Sequence, residues 1–568
     1  MGADVDADAA GDDVRVPTPL DRLVAWLGPP RSYVLTRNLI VRLLGVIYVF
    51  AFLGILFQGL PLLGHHGLTP IDSYVARLRV AGATFWDVPS VLWFDASDTS
   101  ILTWAGLGLA LAVPVAIGYA NAPMLLVLWL VYGSFERLGQ HWFAFGWEMQ
   151  ILETTLLVAA MVHPIDPRPR PPTGLSIVLM RWLAFRIMLG AGLIKWRGDP
   201  CWRELTCLDA HFETQPLPNP LSPLFHHLPH ALHAVGVAVN HGVELIAPWF
   251  VFGPRRLRLI AGCALLAFQV TLIASGNLAF LNWLTVVSVL ACFDDDFLRR
   301  WVPRRWRPPP REGLATPHAQ VAIAVAAMVI VALAWAPLFG WLDATGQVVL
   351  GAALVGAVLV GVRWLPWRVA RWQGVVALFA GLVAVKSCDV VENLASSHQA
   401  MNRGYDVLDL VNTYGAFGSV GMVRHELVIE GTLDAEPARA TWHAFVLPCQ
   451  PGPLERRPCV LGPYHRRLDW LIWFAAMNDE PADAWVLHLV YKLLDGDREI
   501  RKLLEDPFDG VAPRWVRIRR FVYHLAPYGD DAWWTRDHEE LWLPPIGRDD
   551  PELARILAHH GWPSPSLR

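Results

Sequence analysis

Runs of mostly apolar residues, each about as long as a bilayer is thick, recur through the first two thirds of this chain. Such a run has few ways to fold. Inside hydrocarbon no water bonds a bare N–H or C=O, so the backbone must bond itself, and a helix of about 20 residues does so across the ~30 Å core. By that measure candidate spans lie near 39–62, 100–119, 121–136, 147–163, 174–195, 231–252, 257–275, 278–293, 319–341, 346–362 and 371–388, about 11 in all. The rest of the composition agrees: 54% of the 568 residues are hydrophobic and 17% charged, too greasy a balance for an ordinary soluble protein. A formal net charge of -4, with no basic block outside the loops that flank the spans, argues against nucleic acid as a partner.

The loops between spans orient the bundle, because short cytoplasmic loops carry excess Lys and Arg. Starting with the N-terminus inside, the inside loops hold Arg31 and Arg37, then Arg168 and Arg170, then Arg255, Arg256 and Arg258, then Arg299, Arg300, Arg304, Arg305 and Arg307, then Arg363, Arg368 and Arg371. The opposite loops are poorer in basic residues. Three domains follow: a cytoplasmic N-terminal segment at 1–38, a multi-pass domain at 39–388 with an outside Cys/Pro loop at 196–230, and an extracytoplasmic domain at 389–568. The Asp-rich start lacks the basic, apolar and small-residue order of a cleaved signal, so the first span is expected to act as its own. In the last domain HELVIEGT, TWHAFVL and RWVRIRRFVYHLAP alternate with the period of strands, whereas RRLDWLIWFAAM and ADAWVLHLVYKLLDG repeat with the period of helices. The expected fold class is a polytopic α-helical membrane bundle with a C-terminal extracytoplasmic α+β domain.

Charges inside the spans are the first place to look for function, because each costs a few kcal/mol unless a partner offsets it. Arg42, Glu136, Arg137, Glu148, Glu153, Arg186, Lys195, Glu244 and Lys386 lie in or at the edges of candidate spans. One reading is a buried network that fixes helix packing, Arg186 with Glu148 or Glu153, while Lys195 and Lys386 snorkel to an interface. The other is a polar cavity lined by Arg186, Glu153, Lys195, Asp199 and His141. After Lys195 the chain turns polar, with Cys201, Cys207, a proline run and His211, His226, His227 and His230. These histidines lack the spacing of a zinc helix, so no metal is expected. No cofactor fingerprint is present either: there is no P-loop, no dinucleotide glycine motif and no G-x-S-x-G elbow.

Cys201 and Cys207 fall in the outside loop, and Cys449 and Cys459 in the outside domain. On an oxidising side these are candidate disulfides. The first pair is either a staple for the proline-rich loop or a redox-active pair for exchange with clients, although no CxxC spacing is present.

The segment WLAFRIMLGAGLIKWRGDPCWRELTCLDAHFETQPLPNPLSPLFHHLP strongly resembles the lipase maturation factor family, through GDPCW, LTCLD and ETQPLPNPLS. RNLIVRLLGVIYVFAFLGILFQGLPLLGHHGLTP, GNLAFLNWLTV, VNTYGAF, VIEGT and PYHRRLDWLIWFAA extend the resemblance over most of the chain. It implies a factor, not itself a lipase, that assists folding and assembly of secreted lipases or other exported clients in a membrane. That membrane is the endoplasmic reticulum in the eukaryotic family. Arg outnumbers Lys and Ala, Val, Gly and Pro abound, as in a GC-rich genome, a compositional hint of a bacterial source, and in a bacterium the membrane would be the inner one. Expected partners are such a client and membrane lipid.

A shorter likeness competes. AGLIKW resembles the helix of vitamin K-dependent carboxylases in which a Lys is the base, which would make Lys195 the base with His141 or Glu153 assisting. In the tail, the Trp- and Arg-rich run suggests a client surface at Arg466, Arg467, Asp469, Trp470 and Trp473, set against a core role for its aromatics. The PCQPGPLERRPC segment departs from the family pattern.

Overall fold

The computed structural model describes residues 32–307 and 369–562. The expected spans at 319–341 and 346–362, and nearly all of the N-terminal segment, lie outside them. Among the described residues, six helices are long and apolar enough to cross a membrane: Val34–Leu63, Asp98–Ala116, Gly174–Arg197, His230–Phe252, Arg255–Ser275 and Trp372–Ala395. This is fewer than the 11 candidate spans, for identifiable reasons. The runs at 121–136 and 147–163 form helices Ala122–Leu138 and Gly146–Met161 of 17 and 16 residues, shorter than a bilayer needs. The run at 278–293 becomes a nine-residue helix, Leu281–Val289, followed by a 3-10 turn to Cys292.

We label the principal helices α1 (Val34–Leu63), α2 (Asp98–Ala116), α3 (Ala122–Leu138), α4 (Gly146–Met161), α5 (Gly174–Arg197), α6 (Cys207–Thr214), α7 (His230–His241), α8 (Arg255–Ser275), α9 (Leu281–Val289) and α10 (Val369–Ala395). Local chemistry starts several of them. Ser97 accepts from Ser100 N at the head of α2, Asn121 from Met124 N at α3, and Thr173 from Ser176 N at α5. The head of α1 borrows its cap: the Asp295 carboxylate accepts Val34 N and Leu35 N at 3.0 and 2.9 Å. Helix α4 is buried on nearly every side, its polar residues Glu148, Gln150 and Glu153 included. Pro248 has no N–H to bond back to Glu244, and beyond α7 the helix widens into a π turn at Gly242–Ile246 and then tightens into 3-10 at Ala247–Phe252.

The tail is an α+β unit. Strands β1 (Arg424–Thr432), β2 (His443–Phe445), β3 (Trp515–Leu525) and β4 (Trp534–Gly547) form one antiparallel sheet in the order β2-β1-β3-β4. Helices α11 (Arg467–Ala476) and α12 (Ala484–Leu494) fill the positions expected from their periodicity, and α13 (Pro551–His559) follows the sheet. Strand β4 was not expected. Seven successive residues, Thr535 to Leu541, are exposed, and bulges break its register with β3, so it carries no alternating pattern to read.

The two ends of α1, about 45 Å apart at 1.5 Å per residue, meet different company. At the N-terminal end Arg37 donates to the Ala120 carbonyl at 3.1 Å and Asp294 pairs with Arg255 at 2.6 Å, among the basic loops. At the other end Gln58 donates to the His465 carbonyl at 2.7 Å and accepts from Arg467 N at 2.9 Å, while His488 bonds the Leu68 carbonyl at 2.7 Å. The tail is therefore docked on one end of the bundle, through side chains that apolar runs rarely contain.

Candidate functional site

The described motifs converge on the seam between bundle and tail. ETQPLPNPLS folds back over the end of α8, whose last carbonyls would otherwise lack donors. Gln215 Nε2 and Ser222 Oγ each donate to the Ser275 carbonyl at 2.8 Å, and Asn219 Nδ2 donates to Ala274 at 3.0 Å. The same motif holds the tail. Arg424, the first residue of β1, donates to the carbonyls of Glu213 and Pro216 at 2.8 and 3.1 Å, and the Glu213 carboxylate accepts Leu525 N at 2.7 Å. Beside it, burial lifts the Glu426 carboxyl to about 7 although Arg424 lies 2.5 Å away. Asn277 of GNLAF bonds the Cys459 carbonyl and Leu461 N, both at 2.9 Å.

VNTYGAF lies along α5 and completes a buried ion pair. Arg186 and Glu153 are in contact with no side-chain exposure. Glu153 Oε2 also accepts the Tyr414 hydroxyl at 2.7 Å and Asn412 N at 3.1 Å, and Arg186 donates to the Asn412 carbonyl at 2.8 Å. The approach requires glycine: a Cβ at Gly190 would collide with the Tyr414 carbonyl, and one at Gly198 with that of Gly418. Of the two partners expected for Arg186, Glu153 is the one used. Glu148 serves the tail instead: it accepts Arg467 at 2.8 Å and the Tyr132 hydroxyl, with the guanidinium 3.5 Å over the Phe143 ring.

That placement corrects the expected client surface. Arg467, Asp469 and Trp470 are buried, Arg466 and Trp473 half-buried. They form the inner face of α11 because Glu148 and Gln58, buried donors and acceptors in the bundle, need partners that water cannot supply. Burial also raises Asp469 to about 6, although its carboxylate accepts Cys449 N at 2.7 Å.

Lys195 neither snorkels nor joins Glu153. Its Nζ donates to Glu244 at 2.6 Å and to Asn240 Oδ1 at 3.0 Å, 5.0 Å above the Trp202 ring. The π turn carries Glu244. The polar cavity expected from Arg186, Glu153, Asp199, His141 and Lys195 is not formed. Glu153 and Arg186 are closed on each other, His141 is exposed on the turn Gln140–Trp142, and Asp199 caps Cys201 N at 3.0 Å. What Lys195 does line is a mostly apolar cavity of about 490 Å³ between α5, α7, α8 and α9. Lys386 lies 3.9 Å from Asp406.

Cys201 is bonded to Cys207 and Cys449 to Cys459, with Cα separations of 4.8 and 5.4 Å. The first pair is buried under Trp202, Val237 and Val420. Among the loop histidines, His211 is buried and held down to about 4, by burial first and then by nearby Lys195. His230 and His233 both face Asp209, at 2.9 and 2.8 Å. No group of three metal-binding side chains gathers among the described residues. Sequence reasoning missed Asn240, Asn412, Tyr414, Gln58 and Arg424. For Gln58, an amide in the middle of an apolar run, the signal was there to see.

Helices of bilayer length, buried ion pairs and a disulfide-bearing tail docked on one end define a multi-pass membrane protein with an attached α+β domain. Residues 35–300 match the family model described as lipase maturation factor transmembrane domain, and residues 410–544 the one described as lipase maturation factor C-terminal domain. Lipase maturation factor 1 of Bos taurus is 37% identical over 94% of this chain and 92% of its own length, and that of Mus musculus 38% over 94% and 90%. Lipase maturation factor 2 of Homo sapiens is 30% identical over 93% and 85%. The chain belongs to the lipase maturation factor family. No solved structure matches it.

Proposed function

We propose that this protein assists the maturation of exported lipases or related clients, presenting its tail and Cys201 loop together on the extracytoplasmic face. The observation that carries the reading is likeness to lipase maturation factors along almost the whole chain, over both bundle and tail. The docking supports it: the family motifs serve to fix the tail on the bundle, so loop and tail act as one platform. Within it the Cys201–Cys207 bond is a staple, since thiol exchange needs an accessible sulfur and both residues are buried. Client contact falls to what α11 leaves outside, Phe474 and Met477 with the half-buried Arg466 and Trp473. The carboxylase reading has no support in the geometry, because Lys195 is held by Glu244 and its proposed helpers are elsewhere.

Deletion of the gene should lower the specific activity of a secreted lipase at unchanged transcript level, and the intact chain should restore it. Unchanged specific activity in the deletion strain would overturn the reading. For sidedness, Val460→Cys in the tail and Trp301→Cys among the basic residues, both on exposed positions, should label from opposite sides of sealed vesicles. Labelling from the same side would reject the arrangement.

A further inference from the structure

The cavity beside Lys195 has contents that packing does not explain. Its walls are chiefly apolar, from Met188 on α5, Val243 beyond α7, Phe268 on α8 and Leu281 on α9. Into it come two amides that are 3% and 4% exposed, Gln269 and Asn282, and among the described residues Gln269 Oε1 and Asn282 Nδ2 have no hydrogen-bond partner. A buried polar atom left unpaired costs about 1–3 kcal/mol, so two in one cavity point to a ligand that bonds them. One is an acceptor and the other a donor. A hydroxyl group satisfies both, whereas a carboxylate only accepts and an ammonium only donates.

Charge narrows the ligand further. The charged pair in the lining is closed on itself: Lys195 bonds Glu244 at 2.6 Å, and Asn240 reaches Lys195 and Glu244, each at 3.0 Å. Nothing net remains to meet an ionic head. The route in is from the bilayer, since Leu232 and Val239 line the cavity yet are 52% and 53% exposed on the apolar flank of α7. A volume of about 490 Å³ suits one small molecule. We propose that this cavity binds a neutral single-chain amphiphile from the membrane, its tail among the apolar walls and its hydroxyl-bearing head between Gln269 and Asn282. The site rests on this geometry and is independent of the maturation role.

The test uses the full chain purified in detergent and a 1-monoacylglycerol carrying a photoreactive diazirine in its chain, with labelled residues mapped by peptide mass. Label is expected on the cavity segments of α7 and α8. An excess of plain 1-monopalmitoylglycerol should reduce it about tenfold, and palmitate or hexadecylammonium much less. Gln269→Leu together with Asn282→Leu should weaken labelling by about tenfold or more, the loss of two hydrogen bonds. Ala267→Trp should block it by filling the space. If these variants do not fold, the competition series on the unaltered chain decides alone. Label confined to outward residues such as Ile260 and Val270 and not competed would overturn the site, and competition by palmitate equal to that by the monoacylglycerol would overturn the neutral head.

Discussion

Two cations sit on the same helix, nine residues and so about 13 Å of rise apart, and their pairings with carboxylates on neighbouring elements are built to different plans. Arg186 and Glu153 are sealed: a loop of the tail supplies Asn412 and Tyr414, and both carboxylate oxygens are bonded. Lys195 and Glu244 stand at the edge of a cavity, with one amide between them and an aromatic ring above the ammonium. The first pair is a clasp that holds tail to bundle. The second closes off charge so that the space beside it stays neutral. A charge within a span thus marks either assembly or a lined space, and its further partners tell which.

The sharpest way to break this contrast is Glu153→Ala. It strands a buried guanidinium and releases the tail loop, so about 3–5 kcal/mol of stability should go, seen as loss of folded protein after detergent extraction. Lys195→Met should cost less, about 1–3 kcal/mol, because Glu244 keeps Asn240 and borders a cavity. Adding Glu244→Leu should recover most of that in a thermal melt. Equal losses for Glu153→Ala and Lys195→Met would erase the distinction. Cys201→Ser opens a loop of five intervening residues and should cost about 2 kcal/mol. Its effect should be local, read as faster proteolysis within 196–230.

Within about one pH unit of neutrality the smallest effect is a pH dependence in the tail. Burial holds His488 down to about 3, and its neighbours Lys492 and His560 lower it further while the Leu68 carbonyl and Asp497 raise it. The unfolded chain takes up this proton near 6.5 and the folded one does not, so the contribution is full above 6.5 and is lost as pH falls below it. The shift is worth at most ~1.4 kcal/mol per pH unit. Glu426 and Asp469 work the other way, their raised values favouring the fold as pH falls below about 7 and 6. His488→Gln should therefore flatten the acid side of a melting-temperature profile, and an unaltered profile would show that His488 does not titrate on unfolding.

The membrane class and the helices α1, α2, α5 and α8 were legible in the sequence as apolar runs about as long as a bilayer is thick, and the strands β1 and β3 by their alternation. Arg186 with Glu153 was legible as one of two options, since two carboxylates on α4 stand within reach by sequence alone. The choice was not, because Glu148 is claimed by Arg467, 319 residues away. At α11 the choice between surface and core stayed open for the same reason. Arg467 and Trp470 look like exposed anchors until the buried acceptor opposite them is known. Strand β4 was invisible because an edge strand with both faces wet has no pattern.

The clasp also sets an order of events. Asn412 lies 226 residues beyond Arg186, so a ribosome has long since released α5 into the bilayer when the closing segment emerges. Until then Arg186 and Glu153 have only each other. A stalled or shortened product would carry a half-dressed charge pair in its midst, an inherent mark by which cellular surveillance could tell unfinished copies from finished ones.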